Sequence, residues 1–471
     1  MDLTSAPTPA PGSPARAPRV AVIGAGPAGI YAADIVTKEH VDVLVDVFDR
    51  LPAPYGLVRY GVSPDHPRIK EIIKALRNVL SRDRIRFLGN VDYGTDLKLA
   101  DLRQYYDAVI FATGAIRDRD LDLPGIDLEG SFGAADFVSW FDAHPDYPRT
   151  WPLTATSVAV IGAGNVALDV ARMLAKPAHE QAHTDIPDNV HAGLAANRAT
   201  DIHVFARRGP AQVKFSPMEL RELSHSPSID VIVEEEDFQI DEASQAAIQQ
   251  TKSVRLVVDT LLRYAETAPT GAPHRIHIHM CHNPVAILGH DGHVVALRTE
   301  RTELDGSGNA VGTGTFVETP VQAIYRAVGY RSTPLPGLPF DHTNHVIPND
   351  AGRVLDLDGN HMEGVYCTGW VKRGPVGLIG HTKSDAAHTI ANLLADLNAH
   401  PERLAERRSE DIETHLAALN IDFTTWAEWE YLDAHERAIG EAAGRERTKV
   451  VARDDMIRLG RTPRVQTAHR D

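Results

Sequence analysis

Residues 19–39 read RVAVIGAGPAGIYAADIVTKE, and the fold class turns on this stretch. Val20–Ile23 is a β-branched run, Gly24, Gly26 and Gly29 are spaced as GxGxxG, and a segment of helical character follows. A strand, a tight turn and a helix in that order bring backbone amides to a pyrophosphate at the positive end of the helix. The apolar run VDVLVDVFD (41–49) completes a βαβ module of about 30 residues. Asp49 closes its second strand about 20 residues beyond Gly29, where a carboxylate accepts from a ribose hydroxyl and repels a 2′-phosphate. The unit is therefore expected to hold FAD or NAD rather than NADP.

The pattern recurs as SVAVIGAGNVALDVARMLA (157–175), with Gly162, Ala163, Gly164 and Ala167 forming the GxGxxA variant and Asn165 and Val166 at the helix start. After a polar insert (176–200) comes the strand DIHVFA (201–206), which ends in Arg207 and Arg208 where the first unit carries its acid. Planar guanidinium groups donate bidentately to phosphate, so this pair reads as a 2′-phosphate clamp that selects NADP; an exposed RRG turn is the plainer alternative. A flavin site and an NADP site on one chain imply hydride traffic between nicotinamide and flavin.

Between the two units lies YYDAVIFATGA (105–115), and after the second lies AIYRAVGYRS (323–332). Both are strands ending in small residues, which suits a crossing point. The expected architecture is α/β, with two Rossmann-like dinucleotide-binding domains. An NADP-binding domain, 116–331, is inserted into a split FAD-binding domain made of 19–115 and 332–471. Residues 1–18, rich in Pro, Ala and Ser, read as a disordered leader. The insert 176–200 and the acidic run Glu234–Asp237 read as loops or solvated faces without chemistry.

Composition bounds the rest. The chain has 471 residues, 43% hydrophobic and 24% charged, and no stretch approaches the ~20 apolar residues of a membrane span. With 48 basic and 64 acidic residues the formal net charge is −16, which disfavours nucleic acid and anionic lipid. Two cysteines, Cys281 and Cys367, form no CxxC pair. That excludes a disulfide-reductase relay and suits a reducing cytoplasm. No Cys-rich or His-rich spacing supplies an internal iron–sulfur cluster, so the electron acceptor comes from outside. Arg59–Arg86 holds eight basic residues (Arg59, Arg68, Lys70, Lys74, Arg77, Arg82, Arg84, Arg86) against three acids, an island of opposite sign. Within it a helix over 67–80 would place Ile69, Ile72, Ile73, Leu76 and Leu80 on one stripe and Lys70, Lys74 and Arg77 on another face. The island reads either as a docking surface for a small acidic electron carrier or as an ordinary solvated helix face.

Four motifs are more specific than the glycine fingerprints: PAPYGLVRYGVSPDHPRIK (52–70), GAGNVALDVAR (162–172), RRGPAQVKFSPMELREL (207–223) and GWVKRGPVGLIGHTKSDA (369–386). Through them the chain, from about residue 19 to about 460, resembles the adrenodoxin-reductase-type ferredoxin–NADP reductases. The resemblance implies FAD, NADP(H) and delivery of electrons to a ferredoxin. It also implies FAD contacts at Ala28, Asp49, Leu57, Val91, Trp370, Gly377, Leu378 and Ile379, and NADP contacts at Asn165, Val166, Arg207, Arg208 and Glu219. His66 matches a histidine near the flavin and nicotinamide, and Asp169 and Glu222 match acids that share its water network. Hydride transfer needs no protein acid or base, so the trio would position and supply a proton; a histidine hydrogen-bonding its own turn is the other reading of His66. The chain reads TGW (368–370) where many flavoproteins carry Thr-Gly-Asp, a departure that argues against a glutathione-reductase-type enzyme. The enzyme is expected to be a cytoplasmic monomer serving an acidic ferredoxin-type carrier; a diaphorase with a small-molecule acceptor is the alternative.

Two smaller signals remain. His274, His277, His279 and His282 crowd HRIHIHMCH, with His277 and His279 on one strand face. Alternating histidines on an exposed strand are the reading adopted, not a metal site. Trp426, Trp429 and Tyr431 in the helical C-terminal stretch offer aromatic packing against the FAD domain.

Overall fold

A computed structural model describes residues 17–40, 42–377, 379–399 and 410–461. The leader expected over 1–18 therefore lies almost wholly outside the described residues. The first unit builds β1 (Arg19–Ile23), β2 (Leu44–Phe48), β3 (Ile85–Gly89) and β4 (Ala108–Phe111). The chain leaves it through β5 (Arg117–Asp118) and forms β6 (Ser131–Gly133), β7 (Ser157–Ile161), β8 (Asp201–Phe205), β9 (Ile229–Ile232) and β10 (His274–His279). An antiparallel sheet follows, β11 (His282–His290), β12 (His293–Leu304) and β13 (Ala310–Pro320), before β14 (Ala323–Arg326). β15 (Tyr330–Arg331) pairs antiparallel with β5, so the outgoing and returning crossings run side by side. The chain then adds β16 (Asn349–Asp350), β17 (Arg353–Leu355), β18 (His361–Cys367) and β19 (Thr424–Thr425) to the first sheet.

The strand orders are β16-β17-β18-β4-β1-β2-β3-β19 and β6-β14-β7-β8-β10-β9. The second sheet is parallel throughout. Val20, Ala21, Val22 and Ile23 are all buried because parallel strands are covered on both faces. Val20 and Val22 pack with Ile30, Ala33, Ile390 and Leu393 on one side, while Ala21 and Ile23 meet Val109, Phe111 and Val365 on the other. In the second sheet Val158 and Val160 join Leu168 and Val204, and Ala159 and Ile161 face Ile287 and Leu297 of the antiparallel sheet. Of the three C-terminal aromatics, Trp429 is buried edge-on against Tyr55 at 5.7 Å and Trp426 packs against the same core. Tyr431 is instead 43% exposed.

Three expectations about charged segments are corrected. The helix over 67–80 is interrupted at Glu71, giving Pro67–Lys70 and Ile72–Leu80. Two members of the basic island are interior: Arg59 forks onto Glu436, and Lys70 lies 2.7 Å from Asp185, all four side chains being buried. Lys70 thus shares no surface face with Lys74 and Arg77. The segments read as solvated also contribute interior acids. Asp185 of the insert is one, and Asp237 of the acidic run is another, accepting from Arg301 at 2.5 Å and from the Met280 amide at 3.0 Å.

Candidate active site

Each glycine of the first fingerprint has its own geometric reason. Gly24 has φ +112°, and a Cβ there would meet the Ala112 carbonyl oxygen at 2.5 Å. At Gly29 a Cβ would lie 2.0 Å from the Gly24 oxygen, so the helix Pro27–Glu39 can sit this close to β1 only without a side chain. Gly26 has room, its nearest neighbour being the Gly56 Cα at 4.0 Å, and as the helix N-cap it offers no capping side chain. The amides of that first turn therefore have no side-chain cap. Asp49 accepts from the Ala25 amide at 2.8 Å and the Leu51 amide at 2.9 Å. Burial pushes its carboxyl up, against the pull of those two amides.

Gly24, Gly26 and Asp49 line a cavity of about 510 Å³ whose walls also include Ala28, Leu57, Val91, Trp370 and Gly377. Six of the eight residues matched to FAD contacts therefore come together here. Leu378 lies outside the described residues, and Ile379 is described only as the first residue of the helix Ile379–Ala399. Sequence reasoning missed the far wall, where Val138, Ser139, His144 and Tyr147 from the second unit and Tyr330 at the return crossing close the cavity. Nothing in the spacing of those residues signals a cofactor. The PAPYGL segment folds over the fingerprint, its Tyr55 amide donating to the Ala25 carbonyl at 2.8 Å.

In the second fingerprint a Cβ on Gly162 would meet the Ala327 oxygen at 2.2 Å, whereas one on Gly164 would meet nothing within 4 Å. That open space at the start of Asn165–Ala175 is the cradle a nucleotide pyrophosphate needs. Asn165 holds the loop in place through its side-chain oxygen, which accepts from the Ser216 amide at 2.7 Å. Arg207 is exposed and Arg208 half-buried, while their carbonyls are pinned by the Thr302 hydroxyl at 2.8 Å and the Cys281 amide at 3.2 Å. The turn is thus fixed and the Arg207 side chain is accessible to a phosphate. Val166, matched to an NADP contact, lines the same cavity as Asp49 and Trp370. Glu219, matched to a contact with adenosine hydroxyls, is buried in a different company.

That company is centred on His66. Its Nδ1 lies 3.1 Å from Glu222, and its Nε2 lies 3.1 Å from Asp169 and 2.7 Å from Glu219. Arg172 closes the cluster, donating to Asp65 at 2.8 Å and to Asp169 at 2.6 Å while its Nη2 abuts the His66 ring. Burial opposes the imidazolium, but hydrogen bonds to Asp169 and Glu219 outweigh it and raise the pKa to about 9. Asp65 is likewise penalised by burial, yet the Arg172 guanidinium holds it well below the usual carboxylate range. Glu222 is pushed up by burial. The structure brings His66, Asp169 and Glu222 into direct contact, and Glu219 and Arg172 join them.

The histidine-rich strand is not exposed. β10 lies between β8 and β9, and the His277 and His279 rings stack at 6.1 Å and 5° on the face that carries His203. Burial lowers His279 to about 3 and His203 to about 4. Asp237, His279 and His282 approach one another closely enough to hold a cation. The Arg301 Nη1 already lies 2.5 Å from Asp237 and 2.6 Å from His282, so that place is taken by a guanidinium.

Comparison with known proteins follows the same lines. The family model described as pyridine nucleotide-disulphide oxidoreductase matches residues 18–262. The chain is 38% identical over 457 residues to the NADPH-ferredoxin reductase FprA of Mycobacterium tuberculosis, covering 94% of this chain and 98% of that protein. It is 35% identical to the mitochondrial NADPH:adrenodoxin oxidoreductase of Arabidopsis thaliana, covering 93% and 94% of the two chains. The solved structure of Mycobacterium tuberculosis FprA in complex with NADPH superposes with a TM-score of 0.87 at 38% identity, covering 94% of this chain and all of that one. Despite the family's name, Cys281 and Cys367 are both free and buried.

Proposed function

The chain belongs to the pyridine nucleotide-disulphide oxidoreductase family, and on that premise we propose that it is an FAD-dependent reductase moving electrons between NADP(H) and a ferredoxin-type iron–sulfur protein. One contrast within this chain carries the reading: two units of the same build end their second strands with opposite charge, Asp49 after β2 and Arg207–Arg208 after β8. Bound flavin would supply a hydride acceptor that can release electrons singly, the link between a two-electron donor and a one-electron acceptor.

The residues fit both cofactors. Gly26 and the first turn of Pro27–Glu39 would bind the flavin pyrophosphate, Asp49 the ribose, and Trp370 and Gly377 the ring end of the cavity. Gly164 and the Asn165–Ala175 helix would take the second pyrophosphate and the arginine pair the 2′-phosphate. His66 would hold a proton beside the path between the nicotinamide and flavin sites, with Glu222 on its Nδ1 leading toward solvent. Supported by the paired crossings β5 and β15, we place the domain limits at 19–115 with 332–471 for FAD and 116–331 for NADP. An acidic carrier is supported by Arg68, Lys74 and Arg77, the members of the basic island that are exposed. Cytoplasmic residence is supported by the unpaired thiols; a monomer is the simplest assembly for this chain. Among the described residues no helix is long and apolar enough to cross a membrane.

The test is stopped-flow reduction of the purified protein by NADPH and by NADH, followed by mixing with a ferredoxin. Bleaching with strong NADPH preference and rapid reoxidation by ferredoxin is the expected result. Bleaching without reoxidation would overturn the iron–sulfur acceptor in favour of a small molecule.

A further inference from the structure

Arg172 stands in none of the roles assigned so far, yet it touches almost every group in the His66 cluster. It sits three residues after Asp169 on the helix that follows the second fingerprint, with its side chain 3% exposed. Its Nε and Nη2 fork onto Asp65 at 2.8 and 3.1 Å. Nη2 also reaches Asp169 at 2.6 Å and abuts His66 Nε2, and Nη1 points at Glu219, 3.5 Å away. Asp65 precedes His66 in the turn SPDHP, which belongs to the first unit, whereas Asp169, Glu219 and Glu222 belong to the second. The fork is therefore a bridge between the units, and the residue it grips is the chain neighbour of the histidine. A bidentate guanidinium–carboxylate pair fixes distance and plane together, which a lysine cannot do.

The charges give Arg172 a second effect. The groups facing His66 are the carboxylates of Asp65, Asp169, Glu219 and Glu222 and the guanidinium of Arg172, which meets Nε2 beside Asp169 and Glu219. Lys176 adds a cation at the edge, 3.3 Å from Asp65. The carboxylates favour an imidazolium, and the guanidinium against Nε2 disfavours it.

We propose that Arg172 is a positioning residue for the reductase reaction: by clamping Asp65 to the nucleotide-binding helix it fixes the His66 ring between the two units, and its charge offsets the carboxylates that would otherwise trap a proton there. The inference rests on the reading that His66 works beside the path between nicotinamide and flavin.

The experiment uses the flavin-loaded enzyme and its variants Arg172→Met, Arg172→Lys, Asp65→Asn and His66→Gln. Two quantities are read: the imidazole titration of His66 by NMR on histidine-labelled protein, assigned by the signal lost in His66→Gln, and the rate of flavin reduction at saturating NADPH. Arg172→Met should move the His66 titration upward by about one pH unit, and Asp65→Asn should move it downward, because one loses a neighbouring cation and the other an anion. Arg172→Lys should restore the titration but not the rate, which both Arg172 variants should lower ~10-fold while NADPH affinity stays within ~3-fold, since small displacements of a positioned group cost this much. A titration that is unmoved, or that moves the same way in Arg172→Met and Asp65→Asn, would overturn the inference, as would an unchanged rate. Should Arg172→Met fail to retain flavin, Arg172→Lys and Asp65→Asn decide the question in the same terms. If His66→Gln reduces flavin as fast as the parent, it is the underlying reading of His66 that falls, whatever the arginine does.

Discussion

Lys70 and Asp185 form a buried ion pair, Nζ lying 2.8 and 2.7 Å from the two carboxylate oxygens, and they join segments 115 positions apart in the chain. Asp142 and Lys449 extend it, Lys449 lying 3.2 Å from both acids. Burial pulls the Lys70 ammonium down, and the two carboxylates pull it up. Removing one member of such a set strands charge in the interior, so Lys70→Met should destabilise the fold by about 3 kcal/mol. Lys74→Met, at a side chain 81% exposed, should change it by less than about 0.5 kcal/mol. Denaturant midpoints of the two variants measure the difference, and equal midpoints would refute the burial.

The proposed 2′-phosphate clamp at Arg207 and Arg208 predicts nicotinamide selectivity. Arg207→Ala should raise KM for NADPH by roughly 10- to 200-fold, corresponding to about 1.5–3 kcal/mol of charged hydrogen bonding, and leave KM for NADH nearly unchanged. Steady-state kinetics with both nicotinamides suffice. Equal losses would show that Arg207 supports the turn and not the 2′-phosphate.

Glycines that look alike in sequence should fail differently. Gly29→Ala places a Cβ 2.0 Å from the Gly24 oxygen, so thermal stability should drop steeply. Gly164→Ala meets no protein atom within 4 Å, so stability should hold to within about 0.5 kcal/mol while NADPH binding weakens. Calorimetry and nucleotide titration separate the two, and a destabilised Gly164→Ala would refute the open space at Gly164 as the reason for that glycine.

The His66 cluster imposes a pH dependence on stability. Its folded pKa, about 9, lies above the ordinary 6.5, so the protonated ring favours the fold. That contribution is complete below about pH 6.5 and is lost as pH rises toward 9, on the order of 3 kcal/mol in all. Unfolding free energy measured between pH 6 and 9.5 should therefore fall more in the parent than in His66→Gln. Parallel profiles would mean the ring is neutral in the folded protein.

Much of the site was legible because it is local. The fingerprints lie within single strand–turn–helix units, and the structure places Gly24 and Asp49 on the wall of one cavity with Gly29 packed tightly against the Gly24 carbonyl. The histidine trio became legible through the four longer motifs. Glu219 was legible only as a nucleotide contact, since its pairing with His66 depends on how one unit lies against the other. Arg172 gave no signal beyond its place in GAGNVALDVAR, because an arginine inside a helix reads as a solvated residue until the surrounding acids are known.

Taken by itself, the sequence determined that there are two dinucleotide-binding units and that their second strands end in opposite charge. Both follow from glycine spacing and side-chain type within a few tens of residues, over which strand and helix periodicities hold. Tertiary structure alone decided which charges are surface and which are interior. Arg59, Lys70, Asp185 and Asp237 look like solvated residues in their own segments, yet each is buried because its partner arrives from elsewhere: Glu436, Asp185, Lys70 and Arg301. A charge enters a protein interior only when an opposite charge meets it there, and that meeting is a property of the folded chain.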